Sequence, residues 1–196
     1  INLVTPMQNI ITNFGSGITV AGAVLIAQYI GAGEKEDARS MANQIFACAM
    51  GFAVVCATLC FLGTPAIVNW LGADGGTAYY ARVYLRVVIW DMPFLYMVNI
   101  FSAVHQAQGD TVRPMFLNLG GITLNLFLDP FFMIILNLGT AGAALATLLA
   151  KAIPAIVAFG LLCRQENDIC LNRKYMRLQK EKLGMILKIG LPTAIG

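Results

Sequence analysis

Almost all the charge in this sequence lies in three short islands, and the stretches between the islands are long and apolar. Residues 1–33 contain no Asp, Glu, Lys or Arg, and neither do residues 40–73. The hydrocarbon core of a bilayer is about 30 Å thick, and an α-helix of about 20 apolar residues crosses it. Both stretches exceed that length. The pattern therefore predicts a chain that crosses a membrane several times.

Composition decides between the two architectures that can span a membrane. Hydrophobic residues make up 58% of the chain and charged residues 12%, whereas a soluble domain has about 25% charged residues. In lipid the backbone must satisfy its own hydrogen bonds, which leaves helices or closed barrels. Barrel strands alternate apolar and polar residues, but these runs are continuously apolar. We therefore predict an all-α, polytopic helical membrane protein.

Five complete crossings and the start of a sixth can be drawn, and we name them spans a to f. Spans a to e cover residues 8–30, 44–62, 80–107, 114–136 and 140–163, and span f begins near residue 183. After span b, residues 65–71 are predicted to form a separate short helix at the membrane interface. The chain begins and ends inside apolar runs, so we interpret it as an excerpt of a longer, transporter-sized protein.

Most Lys and Arg residues fall in alternate loops, and Arg82, Arg86 and Lys151 depart from this pattern. The b–c and d–e loops contain none, whereas the other three contain Lys35, Arg39, Arg113, Arg164, Arg173, Lys174, Arg177, Lys180 and Lys182. Loops rich in Lys and Arg remain in the cytoplasm. This predicts a multi-pass protein of the cell (inner) membrane with its basic loops facing the cytoplasm. Because the basic residues lie in loops beside the bilayer, the lipid bilayer is a predicted partner and nucleic acid is not.

One acidic residue lies deep inside span d. At about 1.5 Å per residue from the cytoplasmic end, Asp129 lies about 22 Å into the bilayer, and Thr147 of span e lies at nearly the same level. Asn125 precedes Asp129 by one turn and shares its helix face. We predict that these three side chains form one polar cluster for a coupling ion. The carboxylate can take up a proton, or it can bind Na⁺ together with the amide and hydroxyl oxygens.

Two further charges lie at similar depth, Asp91 on span c and Lys151 on span e. Two alternatives stay open: they form a buried ion pair between the spans, or Asp91 faces a cavity and attracts a cationic substrate. Span c is also rich in large polarizable side chains, which can hold flat organic cations. The predicted substrate cavity consists of Asp91, Lys151, Met92, Tyr96, Met97 and Asn99.

Five short motifs together resemble the multidrug and toxic compound extrusion (MATE) family of transporters. They are IAQYIGAGEKEDA at residues 26–38, QGDTVRP at 108–114, LNLFLDP at 124–130, GTAGAALAT at 139–147 and IGLP at 189–192. The resemblance implies twelve helices in two six-helix lobes, with span a as the second helix and span f as the seventh. Residues 1–163 would then be a partial N-terminal lobe, residues 164–182 a basic cytoplasmic loop between the lobes, and residues 183–196 the start of the C-terminal lobe.

The resemblance also implies a function. Members export small organic cations in exchange for H⁺ or Na⁺ without another cofactor, and the remaining transmembrane helices of the full-length chain would complete the cleft. The family's ion site in the first lobe falls on Asn125, Asp129 and Thr147, while the charges at Asp91 and Lys151 depart from the family pattern.

Three other function classes are alternatives, and one of them, a purely structural assembly module, would leave the grouping of Asn125, Asp129 and Thr147 unexplained. A flippase of related architecture for lipid-linked precursors is the leading alternative, and it would need a wide, strongly cationic cavity. An enzyme is not predicted, because the sequence contains no HExxH, GxSxG or paired Asp-rich motif.

Overall fold

A computed structural model of the chain describes residues 5–70, 89–136, 139–164, 184–186 and 188. The described elements are α1 (Thr5–Gly31), α2 (Lys35–Trp70), α3 (Met92–Ala107), α4 (Val112–Pro130), a π-helical segment (Phe131–Ile135) and α5 (Gly139–Cys163). No strand occurs among the described residues. The predicted all-α fold class is therefore confirmed.

Three helical stretches are long and apolar enough to cross a membrane. They are Lys35–Thr64 in α2, Val112–Ile135 in α4 with the π-helical segment, and Ala141–Cys163 in α5. A shorter apolar stretch, Ser16–Gly31, belongs to α1. These stretches correspond to predicted spans b, d, e and a. Most of span f lies outside the described residues. The residues of span f that are described, 184–186 and 188, are helical.

α2 extends beyond predicted span b at both ends. α2 begins at Lys35, so the charged island after α1 forms its first turns and not a loop. Glu36 and Asp37 in the first turn interact favourably with the positive end of the helix dipole. At the other end α2 continues through residues 65–70, which were predicted to form a separate helix.

A turn at Trp90 and Asp91 interrupts span c, and α3 begins at Met92. Pro93 explains the interruption. Proline lacks an N–H donor, and in an unbroken helix its ring would clash with the carbonyl of the residue four positions earlier. Pro93 is therefore accommodated in the first turn of α3 and not inside a longer helix. The turn leaves Asp91 at the N-terminus of α3. The part of span c before residue 89 lies outside the described residues.

α3 packs against each of the other four described helices. α1 also packs against α2, and α4 packs against α5. The hydrophobic core combines residues of α1, α2, α3 and α5, and its largest buried side chains include Ile26, Met41, Ile45, Tyr96, Phe101 and Leu162. α4 contributes little to this core. In the part of the chain that the structure describes, Pro114 is its one buried residue.

Gly22 sets the close approach between α1 and α2. A Cβ atom at this position would lie 2.6 Å from Cδ1 of Ile45 and 2.9 Å from its Cγ1 and Cγ2. Small residues of this kind let helices in lipid approach closely enough for extensive van der Waals contact. The glycine is therefore a requirement of packing at this position.

A tight turn connects α3 to α4. Gly109 has a φ of +81°, a left-handed conformation that glycine adopts without a steric penalty. Oδ1 of Asp110 accepts the N–H groups of Val112 at 3.0 Å and Arg113 at 3.2 Å, which caps the start of α4. Local backbone chemistry thus accounts for the Gly-Asp pair in the motif at residues 108–114.

α4 changes geometry at Pro130. The residues after it form the π-helical segment, in which the Leu136 N–H donates to the Phe131 carbonyl at 3.2 Å. Proline removes a backbone donor and crowds the carbonyl four residues earlier, and a wider π turn accommodates such a disruption. The irregular stretch therefore begins two residues after Asp129.

Candidate functional site

A polar pair lies near the end of α4. Nδ2 of Asn125 donates to Oδ1 of Asp129 at 3.4 Å, one helical turn away, and both residues are half-buried. This distance is long for a hydrogen bond. The carboxylate therefore keeps most of its capacity to bind a cation or to accept a hydrogen bond from another donor.

A cavity of about 270 Å³ lies between α3, α4 and α5. It is lined by Leu95, Val98, Asn118, Gly121, Ile122, Asn125, Thr147, Ala150, Lys151 and Pro154. Most of these side chains are apolar, and the polar ones come from α4 (two asparagines) and α5 (the threonine and the lysine). An apolar pocket with a few convergent polar groups is typical of a small-molecule site.

The cavity brings together two of the three residues predicted for ion coupling. Asn125 lines it from α4 and Thr147 lines it from α5. The Thr147 hydroxyl donates to the Ala143 carbonyl at 2.9 Å, which leaves its oxygen lone pairs available. Asp129 is not among the lining residues and is linked to the cavity through Asn125. The ion-coupling role of the three residues stays a prediction.

Close packing of α4 on α5 explains why Asn125 and Thr147 share one cavity. A Cβ atom on Gly121 would lie 3.3 Å from both the Ala150 carbonyl oxygen and Cγ of Pro154. Asn125 lies one turn further along α4, and Thr147 lies almost one turn back along the antiparallel α5. The two side chains therefore reach nearly the same level.

Asp91 and Lys151 form an ion pair, which is the first of the two alternatives left open by the sequence. Nζ of Lys151 donates to Oδ2 of Asp91 at 2.5 Å. The Asp91 side chain is 2% exposed and the Lys151 side chain is 33% exposed. The position of Asp91 at the N-terminus of α3 also favours a carboxylate, because the helix dipole is positive there. Lys151 lines the cavity, whereas Asp91 does not.

The other residues predicted for a substrate cavity lie elsewhere. Met92, Tyr96 and Met97 are at most 4% exposed and belong to the hydrophobic core. Asn99 is half-buried on α3 and is not among the residues that line the cavity. Contact between these four residues and a substrate stays a prediction.

Sequence reasoning missed Asn118 and the α3 wall of the cavity. Asn118 precedes Asn125 by seven residues, which places both amides on one face of α4. That spacing was a signal that could have identified it. Leu95 and Val98 carried no comparable signal, because α3 is apolar around most of its circumference.

The donor atoms of this site are oxygens of a carboxylate, amides and a hydroxyl. Such atoms suit a proton or a hard cation. Within the described ranges no group of three or more His, Cys, Asp or Glu side chains could hold a metal ion. A cation near Asp129 would therefore need neutral oxygens, and the Asn125 amide, which contacts the carboxylate, could supply one of them.

Comparison with known proteins identifies the family. The sequence matches MatE over residues 1–131. It is 28% identical over 195 residues to the multidrug export protein MepA of Staphylococcus aureus (strain MSSA476), a match that covers 98% of this chain and 43% of that protein. The chain thus spans about 43% of the length of the curated relatives it matches.

Related transporters have been solved in two conformations. One is an outward-facing multidrug resistance MATE family transporter of the MOP superfamily. It matches this chain with a TM-score of 0.91 at 26% identity, and the match covers 100% of this chain and 44% of the transporter. The other is an inward-facing transporter of the same family. It matches with a TM-score of 0.84 at 26% identity, and the match covers 98% of this chain and 44% of the transporter. Since the family match extends over about two thirds of the sequence and these transporters share its fold, the chain belongs to the MatE family.

Proposed function

We propose that this protein is part of an antiporter that exports organic cations and drugs by alternating access, in exchange for H⁺ or Na⁺. The observation that carries the proposal is the Asn125–Asp129 pair, next to a cavity that Thr147 lines from the facing helix. A carboxylate that can bind a small cation thus lies beside a space for part of an organic molecule. Support also comes from a relative named as a multidrug exporter and from transporters solved facing outward and inward.

Ion binding at Asp129 would change how α4 meets α5. The ionised carboxylate accepts the Asn125 N–H. A proton or Na⁺ on the carboxylate competes for the same oxygen, which frees the Asn125 amide toward the cavity and Thr147. Because Gly121 keeps α4 against α5, a shift of one helix displaces the other. Ion and substrate would then favour different packings of the lobe, and coupling requires such a difference.

The proposed reaction makes and breaks no covalent bond, so we propose a transporter and not an enzyme. The coupling ion is the only co-substrate, and no further cofactor takes part. The remaining transmembrane helices of a two-lobe transporter would close the cavity on its open side. Residues 164–182 would connect the lobes, and residues 183–196 would begin the second one.

The membrane location supports a direction of transport. Basic residues flank the α1–α2 and α3–α4 connections, with Lys35 and Arg39 at the first and Arg113 at the second. The excess of Lys and Arg on the cytoplasmic side of membrane proteins favours a cytoplasmic position for both connections. In the cell (inner) membrane, this orientation makes outward release of the substrate an export step.

Transport in proteoliposomes tests the proposal. The full-length transporter is reconstituted, and efflux of a fluorescent organic cation is measured under a pH gradient and, separately, under a Na⁺ gradient. We expect one of the two gradients to drive efflux in the wild type. In Asp129→Asn, which cannot exchange a proton or pair with Na⁺ as a carboxylate, we expect that driven efflux to disappear.

Asp110→Asn is the matched control. It makes the same chemical change in the α3–α4 turn, away from the cavity, and an asparagine also caps a helix well. Gradient-driven efflux should persist in this variant. Unchanged driven efflux in Asp129→Asn, at equal protein levels, would remove Asp129 from the coupling mechanism.

Lys151 favours a second candidate, a flippase for lipid-linked precursors, because it is a basic group at the cavity wall. Its pairing with Asp91 weakens this alternative, since a pyrophosphate would meet one ammonium whose charge is largely balanced. Competitive binding of an organic cation against a lipid pyrophosphate separates the two candidates. Tighter binding of the lipid would favour the flippase.

A further inference from the structure

Two cysteines lie one turn apart on the same face of α2. Cys56 and Cys60 are four residues apart in a continuous helix, which places their Cβ atoms about 5–6 Å apart. Both are free thiols and both are half-buried. They are close enough for a charge on Cys60 to be felt at Cys56. The helix therefore holds two nucleophilic sulfur atoms side by side.

The two thiols lie at the border between the buried and the exposed sides of α2. Ala57, between them in sequence, is 5% exposed and faces the protein. Val55 and Leu59, which each precede one of the cysteines, are 56% and 63% exposed. In a bilayer, apolar side chains this exposed contact lipid. A lipophilic molecule that enters from this side can therefore reach both sulfur atoms.

The pair also lies near one end of the membrane-crossing stretch of α2. That stretch ends at Thr64, so Cys60 and Cys56 lie about 6 Å and 12 Å from the end, whereas Cys48 lies about 24 Å from it. Cys48 also packs against the hydrophobic core. In the orientation proposed above, Thr64 is at the outer end. The pair is therefore accessible from the outer side of the membrane, and Cys48 lies two turns further in.

The spacing of the pair favours a bridging atom over a disulfide. A disulfide needs Cβ atoms about 3.5–4.5 Å apart, which is closer than one turn of an undistorted helix allows. A single atom that bonds to both sulfur atoms spans the larger gap without a change in the backbone. Sulfur ligands prefer soft acceptors, and trivalent arsenic is a soft acceptor that bonds to two sulfur atoms at once.

We propose that Cys56 and Cys60 form a dithiol site that captures lipophilic trivalent organoarsenicals. With an arsenoxide, each sulfur forms one bond to arsenic, and the two thiol protons leave with the oxide oxygen as one molecule of water. Arsenic stays trivalent, so the reaction needs no oxidant or reductant. No residue of α2 is among those that line the cavity between α3, α4 and α5, so this site is separate from the proposed transport site.

The second sulfur is what makes the capture strong. Once one bond has formed, the second forms within the same molecule, and two linked contacts can exceed either alone by about 10²–10⁴-fold. A competing monothiol can replace a single arsenic–sulfur bond but does not remove arsenic from a pair. If the two cysteines reacted independently, the adduct would be as easily reversed as one on an isolated thiol.

Phenylarsine oxide is the probe, added to the purified full-length transporter, and the adduct is located by mass spectrometry of its peptides. We expect one phenylarsenic group on the peptide that contains both cysteines, with loss of two thiol hydrogens. The adduct should survive 2-mercaptoethanol and should be removed by 2,3-dimercaptopropanol. Cys56→Ala and Cys60→Ala should each need at least about a hundredfold more arsenical for half-occupancy.

Two further variants are matched controls. Cys48→Ala removes a thiol of the same helix but leaves the pair, so it should react as the wild type does. Thr58→Cys combined with Cys60→Ala keeps two thiols at a spacing of two residues, at which side chains do not face each other. It should behave like the single-thiol variants. Size-exclusion profiles and binding of a fluorescent cationic dye, measured by anisotropy, show whether each variant keeps its fold.

Several results would overturn the dithiol site. They are removal of the wild-type adduct by 2-mercaptoethanol, wild-type affinity in Cys56→Ala, Cys60→Ala or the variant with the shifted thiol, and loss of the adduct in Cys48→Ala. The first of these needs no variant, so the proposal can be rejected even where a substitution impairs folding. Failure of ion-driven efflux would leave the arsenical adduct unchanged, so the two proposals fail separately.

Discussion

Lys151 and Asp91 are 60 residues apart in sequence, yet Nζ of the lysine lies 2.5 Å from Oδ2 of the aspartate. The contact joins the middle of α5 to the N-terminus of α3. Because Asp91 is almost fully buried, removal of the lysine leaves a charge without compensation, which typically costs about 3–5 kcal/mol. We predict that Lys151→Met lowers the free energy of unfolding by about 3 kcal/mol, measured by denaturant titration in detergent.

An exposed ion pair is the control for that prediction. Nε of Arg113 lies 3.3 Å from Oδ2 of Asp110, and the two side chains are 63% and 30% exposed. Exposed pairs contribute about 0–1 kcal/mol, so Arg113→Met should have little effect. Asp91→Asn combined with Lys151→Met should recover most of the loss. Equal losses in Lys151→Met and Arg113→Met would contradict a buried, structurally important pair.

Gly22 provides a test of the α1–α2 packing. The Cβ of Gly22→Ala would lie closer than 3.0 Å to three atoms of Ile45. Ile45 is branched at Cβ, which restricts its side-chain rotation, so the helices must separate. We predict a loss of about 1–3 kcal/mol in unfolding free energy.

Gly51 is the control for Gly22. It lies inside α2, and a Cβ on it would meet nothing within 4 Å. Gly51→Ala should be neutral or slightly stabilising, because alanine favours helix by up to about 1 kcal/mol. Gly22→Ala with Ile45→Ala should cost less than the sum of the single changes. Strict additivity would argue against the contact.

Gly121 and Gly120 are adjacent but differ in their surroundings. A Cβ on Gly121 would press on the Ala150 carbonyl and on Pro154, whereas a Cβ on Gly120 would meet nothing within 4 Å. Gly121 also lines the cavity. We predict that Gly121→Leu fills the cavity and abolishes dye binding, while Gly120→Leu binds dye normally. Similar affinities in the two variants would show that substrates do not use this cavity.

Thr147 and Thr123 form another matched pair. Each hydroxyl donates to the carbonyl four residues earlier, at 2.9 Å to Ala143 and 2.8 Å to Leu119, but only the first threonine lines the cavity. Valine in either place removes the hydroxyl and keeps the shape. We predict that Thr147→Val raises the ion concentration for half-maximal transport about tenfold, and that Thr123→Val leaves it unchanged. An equal change in both variants would assign the effect to the helix and not to the ion site.

The positions of the membrane-crossing helices could be predicted from sequence, because bilayer thickness fixes how many apolar residues a crossing needs. The helix ends could not be predicted in the same way. α2 begins at Lys35 because acidic residues in a first turn favour helix. A prediction based on the length of apolar stretches leaves out charged residues that continue a helix beyond the bilayer.

The residues predicted for ion coupling and those predicted for the substrate cavity differ in how far their positions could be predicted from sequence. Asn125 and Thr147 could be placed at one level because helical rise is constant and the connection between their helices is short. The faces of Met92, Tyr96 and Met97 could not be assigned. The turn at Asp91 resets the helical phase of span c, and α3 is apolar on too many sides for one face to be distinguished.

The central claim is that Asp129 carries the coupling ion and exchanges it when substrate binds. Ion release on substrate addition tests it most directly, with the purified full-length transporter in a weakly buffered detergent solution. A pH indicator or a Na⁺-selective electrode reports the number of ions released per dye bound. We predict release of H⁺ or Na⁺ by the wild type and by Asp110→Asn, and none by Asp129→Asn although it still binds the dye. Undiminished release from Asp129→Asn would contradict the account.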